Sequence, residues 1–194
     1  MERNEMLDAA YRIFIREGIQ DLRMRAIAEK IGVTKSELDA QFANKQELVT
    51  QSVERVLSQL NERMDSACRK ATTPLEAFVR LAVGIYDTFG KVSDLFIDDA
   101  EYYPAVIDVI AYERHTLQTR LRELFEEGVR QGYLLGSEYF DLFGDLFWPG
   151  TTAGRDRDAV GKTLFLFLRG SSTEKGWQEM QRLQRMKETL VEGA

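Results

Sequence analysis

Apolar residues recur at every third or fourth position through almost the whole chain, starting with Leu7, Ala10, Tyr11, Phe14 and Ile15. No stretch sustains the alternation of a half-buried strand, so the pattern predicts an all-α protein. A first helix is expected from about Asn4, as N-cap, to Glu17, with Gly18 releasing the chain. A short second helix buries Met24, Ile27, Ala28 and Ile31 and stops at Gly32. Thr34, with Glu37 three residues later, forms a capping box for a third helix reaching Phe42. Asn44 caps a fourth helix that meets neither Gly nor Pro before about Ala71. Its stripe of Val49, Val53, Val56, Leu57, Leu60, Met64 and Ala67 gives a buried face about 40 Å long at ~1.5 Å per residue.

Thr73, Pro74 and Glu76 supply N-cap, first-turn proline and capping acid for a fifth helix to about Phe89. A short helix over Ser93 to Tyr102 and a long one from Pro104 to about Val129 follow, then a helix capped by Ser137 and ending at Trp148 and Pro149. Pro149 to Arg157 reads as a loop. Val160 to Arg169 is expected as a strongly apolar helix and Thr173 to Leu190 as a polar amphipathic one. Asp94, Asp98 and Glu101 share a face, with Asp99 adjacent. They read as a solvated acidic surface, Asp94 favouring a helix N-terminus, more readily than as an oxygen-ligand cation site.

Composition narrows the class. The chain has 194 residues, 44% of them hydrophobic and 30% charged, with three prolines, which describes a folded protein and excludes a mainly disordered one. The net charge of −6 means that bulk charge does not draw the molecule to nucleic acid or anionic lipid, so any DNA binding must be local. The longest strongly apolar stretch, Thr163 to Leu168, is far shorter than the ~20 residues of a membrane-spanning helix. The opening MERNEMLDAA has no secretory pattern and the single Cys68 cannot form an internal disulfide, so a cytoplasmic location and no membrane partner are expected. Cys68 itself reads as a small buried residue. No ligand spacing suggests a metal site or a cofactor.

The candidate chemistry lies between residues 18 and 48. A helix-turn-helix needs a small residue where its helices cross, a glycine with positive φ in the turn, and an apolar residue facing back from the second helix. Ala28, Gly32 and Leu38 meet those needs in order. The segment GIQDLRMRAIAEKIGVTKSELDAQFANKQEL, through Gly18, Ile27-Ala28, Gly32-Val33, Thr34, Leu38, Phe42, Lys45 and Glu47-Leu48, resembles the DNA-binding domain of the TetR/AcrR family of bacterial transcription regulators. The remainder resembles that family in layout: total length, a long fourth helix, and EEGVRQGYL closing a long helix.

The resemblance implies a helix-turn-helix domain over residues 1–47 and a helical effector-binding and dimerisation domain over 48–194. It also implies a homodimer whose third helices enter successive major grooves, ~34 Å apart, of a near-palindromic double-stranded operator. Lys45 matches a phosphate-gripping lysine, and Thr34 and Lys35 match the start of the recognition helix. Arg23, Arg25, Ser36, Asp39 and Gln41 complete the candidate DNA contacts. Asp39 and Gln41 stand where the family usually has Tyr and then His or Tyr, and Arg23 where it has Ser or Thr. An aspartate repels phosphate but can accept from a cytosine amine, and Gln41 can read adenine or donate to phosphate. Residues 1–50 hold eight basic groups against nine acids, so a few placed cations must do the binding.

Rings are dense in the fifth to seventh helices, where the resemblance places the effector cavity. Tyr86, Phe89, Tyr112 and His115 are the candidate contacts to a small lipophilic or aromatic effector, the alternative being plain core. Phe140, Phe143, Phe147, Leu164, Phe165 and Phe167 exceed what two short helices of a monomer are expected to hide, which predicts a paired four-helix dimer interface. The function expected is a ligand-responsive transcription regulator, a repressor released by its effector. The alternative is a helical small-molecule-binding or interaction module of the same fold that has lost operator recognition. No catalytic residue is assigned: the sole His115 has no Ser or Asp partner pattern nearby, and an enzyme is not expected.

Overall fold

The computed structural model describes residues 1–150 and 157–192, and these described residues form ten α-helices and no strand. In chain order they are α1 (Arg3–Glu17), α2 (Met24–Ile31), α3 (Lys35–Gln41), α4 (Lys45–Arg69), α5 (Pro74–Phe89), α6 (Asp94–Ala100), α7 (Pro104–Arg130), α8 (Tyr139–Gly150), α9 (Arg157–Ser171) and α10 (Glu174–Glu192). Predicted ends shift by a few residues. Glu2, not Asn4, precedes α1, its N–H donating to Glu5 Oε2 at 2.9 Å. Ser137 forms a turn ahead of α8, its carbonyl accepting from Phe140 N–H. The loop expected over 149–157 lies largely outside the described residues.

The helices gather into two compact units, one comprising Met1–Glu62 with Lys91–His115, the other Arg63–Gly90 with the chain from Thr116 on. This is a different division from the functional one expected at residue 47, because α6 and the start of α7 cluster with the helix-turn-helix. In the first unit α1 buries Met6, Leu7, Ala10, Ile13 and Phe14, and α2 and α3 bury Ile27, Ala28 and Leu38. Leu48, Val49, Val53, Leu57 and Leu60 of α4 complete the buried set. From α6, Phe96 meets Tyr11 edge-on at 6.5 Å.

The second unit is built on phenylalanine. Phe78 of α5 lies 5.6 Å from Phe125 of α7 and 5.0 Å from Phe143 of α8, and Phe167 of α9 lies 5.3 Å from Phe143. Phe140, Phe143, Phe147 and Leu164 are therefore buried inside one chain. This corrects the expectation that only a second copy could cover them: α5 and α7 supply the missing wall. Among the described side chains of α8 and α9, the large apolar ones left exposed are Leu142, Leu166 and part of Tyr139. α10 is tied to α5 by a polar cluster in which buried Glu76 accepts from Arg80, Arg182 and Thr72, while Glu179 accepts from Arg182 and Thr73. Burial alone would raise the pKa of Glu76, but the Thr72 and Arg donors outweigh it and hold the group at about 2. Cys68 is half-buried, and burial raises its thiol pKa.

Candidate nucleic-acid interface

The turn between α2 and α3 depends on Gly32. Its φ of 81° is left-handed, and its N–H closes α2 on Ala28 O and Glu29 O. Thr34 then caps α3: Glu37 N–H donates to Thr34 Oγ1 at 3.2 Å, and Thr34 N–H and Oγ1–H both donate to Glu37 Oε2 at 2.7 Å. These bonds lower the pKa of Glu37 and keep it charged at the positive end of the helix. Leu38 and Phe42 are buried, which leaves Lys35, Ser36, Asp39, Ala40 and Gln41 exposed on α3. The Thr34 hydroxyl, a candidate DNA contact, is thus engaged in capping.

Charge on this surface is paired locally. Lys35 forms an i,i+4 ion pair with Asp39, Arg25 one with Glu29 at 3.0 Å, and Lys30 meets Glu17 at 2.8 Å. Arg3 donates to Gln41 O and lies over the Phe42 ring, 4.3 Å from its centre. Exposed pairs of this kind are worth only ~0.3–0.5 kcal/mol each, so phosphate can compete for their cations. Arg23 is exposed at the N-cap of α2, where its side chain makes no capping bond.

Lys45 stands at the start of α4. Its ammonium donates to the carbonyls of Ile19, Gln20 and Leu22 at 3.1, 3.0 and 3.0 Å. Three donors meet three acceptors, so the lysine braces the α1–α2 turn. The same turn is held from its other side by a residue the sequence pattern missed. Buried Asp99 of α6 accepts through Oδ2 from Ile19 N–H at 2.5 Å and Gln20 N–H at 2.9 Å. Ser93 N–H donates to Ile15 O at 2.9 Å, which fixes the start of α6 against the end of α1. Gly18 has φ 77°, and a Cβ there would lie 2.5 Å from Asp99 Oδ2 and 2.6 Å from Leu95 Cγ. Asp99 stands three residues after buried Phe96, on the inward face of α6, and that spacing was the available signal.

The candidate effector contacts are divided between the units. Tyr86 is buried and Phe89 half-buried on α5 in the second, while Tyr112, 73% exposed, and His115, also exposed, belong to the first. Rings that line an enclosed cavity are covered, and these last two are not.

Residues 6–51 match the family described as bacterial regulatory proteins, tetR family. No curated protein matches the chain. Among solved structures, the fold resembles the ketosteroid transcriptional regulator KstR2 of Mycobacterium tuberculosis, at 20% identity and TM-score 0.65 over 89% of this chain and 95% of that one. It also resembles a TetR-family transcriptional regulator from Streptomyces coelicolor, at 20% identity and TM-score 0.69 over 87% and 92%. A transcriptional regulator from Saccharomonospora viridis, solved in complex with choline, matches at 17% identity and TM-score 0.61 over 75% and 80%.

Proposed function

We propose that the chain is a TetR-family DNA-binding transcriptional regulator, a homodimeric repressor of a near-palindromic operator that is released by a small-molecule effector. The observation that carries this is the Gly32 turn followed by a capped α3 whose outward face, Ser36, Ala40 and Gln41 flanked by Lys35 and Asp39, is exposed and narrow enough for a major groove. Ser36 and Gln41 read bases, Arg23, Arg25 and Lys35 meet phosphate, and Thr34 and Lys45 shape the domain instead of touching DNA. The copies pair through the apolar residues that α8 and α9 leave uncovered, with Leu166 66% and Leu142 52% exposed. The effector is a small lipophilic or aromatic molecule held in part by Tyr86 and Phe89. The fold neighbours include one described as a ketosteroid regulator and one solved with choline, which supports an organic effector without choosing it. The protein acts in the cytoplasm, where its operator is.

Coupling runs through the α1–α2 turn. Asp99 and Ser93 anchor α6 to α1 and the turn, so displacing α6 changes the support of the helix-turn-helix. Coupling between the two ligands is reciprocal: effector weakens operator binding by the factor by which operator weakens effector binding. Selection of duplexes from a random library, followed by a promoter-reporter assay with and without the protein, tests the reading. Recovery of an inverted repeat whose promoter falls silent is expected; no enrichment at low salt refutes it.

A specific observation favours a second reading, a module of this fold without operator recognition. Lys35 and Arg25, two of the candidate phosphate contacts, are paired to Asp39 and Glu29 on their own helices. Failure of the selection at every salt concentration would decide for it.

A further inference from the structure

Reading base pairs requires both ends of α3 to be fixed, and the two ends are held by different means. A helix of seven residues makes few internal bonds and depends on its surroundings. At its start the sequence supplies a local device, the Thr34–Glu37 capping box. Its end has no such device. The last turn carries no basic residue, and the chain leaves the helix at Phe42 with φ −136°, extended where a left-handed glycine would otherwise satisfy the final carbonyls.

A donor for that end comes from the start of α1. Arg3 donates through Nη1 to Gln41 O and through Nη2 to Gln51 Oε1 of α4, the latter at 2.5 Å. Its Nη2 also lies 3.5 Å from Glu47 Oε1, and its guanidinium covers the Phe42 ring. One planar fork therefore joins the last residue of α3, the residue that ends it and the first two turns of α4, all within the first unit. The α4 partners are themselves held. Gln51 Nε2 donates to Glu47 Oε1 at 3.0 Å, and Glu47 Oε2 accepts from Ala43 N–H at 2.8 Å, so the chain just after Phe42 is tied to the same pair. A guanidinium set among a helix C-terminus, a carboxylate and an amide oxygen is favoured by each of them. Lys35 and Arg25, by contrast, have exposed i,i+4 ion pairs.

We propose that Arg3 is a specificity-determining positioning residue: it fixes the carbonyl end of α3, and with it the direction in which Gln41 presents its amide to a base pair, without itself meeting DNA. This rests on the DNA-binding reading above and goes beyond it by naming the residue that aims the recognition helix. A two-bond contact to a base edge tolerates little change of angle, so releasing the Gln41 carbonyl costs discrimination between bases more than it costs attraction to phosphate. Arg55 provides the comparison. It joins α4 to α1 through Asp8, with bonds of 2.7 and 2.9 Å that go to α1 and not to α3.

The full chain is assayed by fluorescence anisotropy against a duplex selected by the parent and against duplexes with one base pair of each half-site changed. Arg3→Gln is expected to narrow the discrimination between them by about tenfold while leaving the salt slope of binding unchanged. Arg55→Gln, which breaks the α1–α4 pair without reaching α3, is expected to keep the discrimination of the parent. Parental discrimination in Arg3→Gln, an equal loss in Arg55→Gln, or a shallower salt slope in Arg3→Gln each overturns the proposal, the last because it makes Arg3 a phosphate contact. Hydrogen exchange without DNA separates the two readings. In Arg3→Gln the Phe42 and Ala43 amides are expected to exchange about tenfold faster than in the parent, with Glu37 at the capped start unchanged. If the parent selects no duplex, the DNA-binding reading fails and this measurement decides the clamp alone: faster exchange supports it and unchanged exchange refutes it. If the parent selects a duplex and Arg3→Gln matches it in discrimination and exchange, the clamp fails and DNA binding stands.

Discussion

Replacing Asp39 with asparagine removes a carboxylate from the exposed face of α3 and releases Lys35 from its ion pair. The pair is an exposed i,i+4 contact, with side chains 56% and 42% exposed, so its loss costs the fold only ~0.3–0.5 kcal/mol. That corresponds to a melting shift of about 1–2 °C for a chain of this size. The effect on DNA is larger. A carboxylate ~6 Å from a phosphate in water repels it by about 0.7 kcal/mol, and screening at physiological salt trims this to about 0.3. Freeing Lys35 adds a similar amount, and a dimer counts each contribution twice, giving about 1.3 kcal/mol or roughly tenfold tighter binding. Two added phosphate contacts per dimer should steepen the dependence of log K on log salt by about 1.8. Fluorescence anisotropy with a duplex selected by the parent, from about 50 to about 300 mM salt, reads both quantities. Unchanged affinity and slope would show that α3 does not face phosphate. Weaker binding confined to sites with one particular base pair would show that Asp39 accepts from a base, and the electrostatic account would be wrong.

Lys45→Met should lower the melting temperature by about 5 °C, as three carbonyls lose a charged donor, while leaving the salt slope of DNA binding unchanged; a shallower slope would return Lys45 to the phosphate contacts. Asp99→Ala should cost about 2–3 kcal/mol and speed hydrogen exchange at the Ile19 and Gln20 amides beyond other amides of the same unit, which mass spectrometry can follow. Glu76 has a pKa of about 2 in the fold against an ordinary 4.5, so its contribution is fully present above pH 4.5 and disappears as pH falls toward 2. Acid titration should therefore remove up to about 3 kcal/mol in that window, and Glu76→Gln should flatten the same part of the curve.

Features that repeat within one helical turn were legible in the sequence. Gly32, the Thr34–Glu37 capping box and the buried pair Leu38 and Phe42 stand as the spacing predicts, because each depends on residues at most a few positions away. Partners brought together by tertiary folding were not legible. Lys45 reaches carbonyls 23 to 26 residues earlier, and Asp99 reaches amides 79 and 80 residues earlier. Both side chains carry ordinary surface charges, and hydropathy assigns them to solvent or to DNA. The phenylalanines of α8 and α9 misled for the same reason: periodicity counts the apolar groups on a helix but does not say whether Phe78 and Phe125 of the same chain will cover them.

The hold of Asp99 on the α1–α2 turn sets an order of events during synthesis. The DNA-binding unit takes its buried acceptor from a residue 80 positions downstream of Ile19, beyond the whole of α4 and α5. At ~5–20 residues per second the ribosome needs roughly 4–16 s to make the intervening chain. Until then Gly18, Ile19 and Gln20 have no carboxylate to close on, and the emerging helix-turn-helix lacks one side of its support. A nascent or truncated chain that ends before α6 is therefore short of the contacts that brace its reading head. The brace on the α1–α2 turn is thus complete only once α6 has been made, although α1 to α3 are finished long before it.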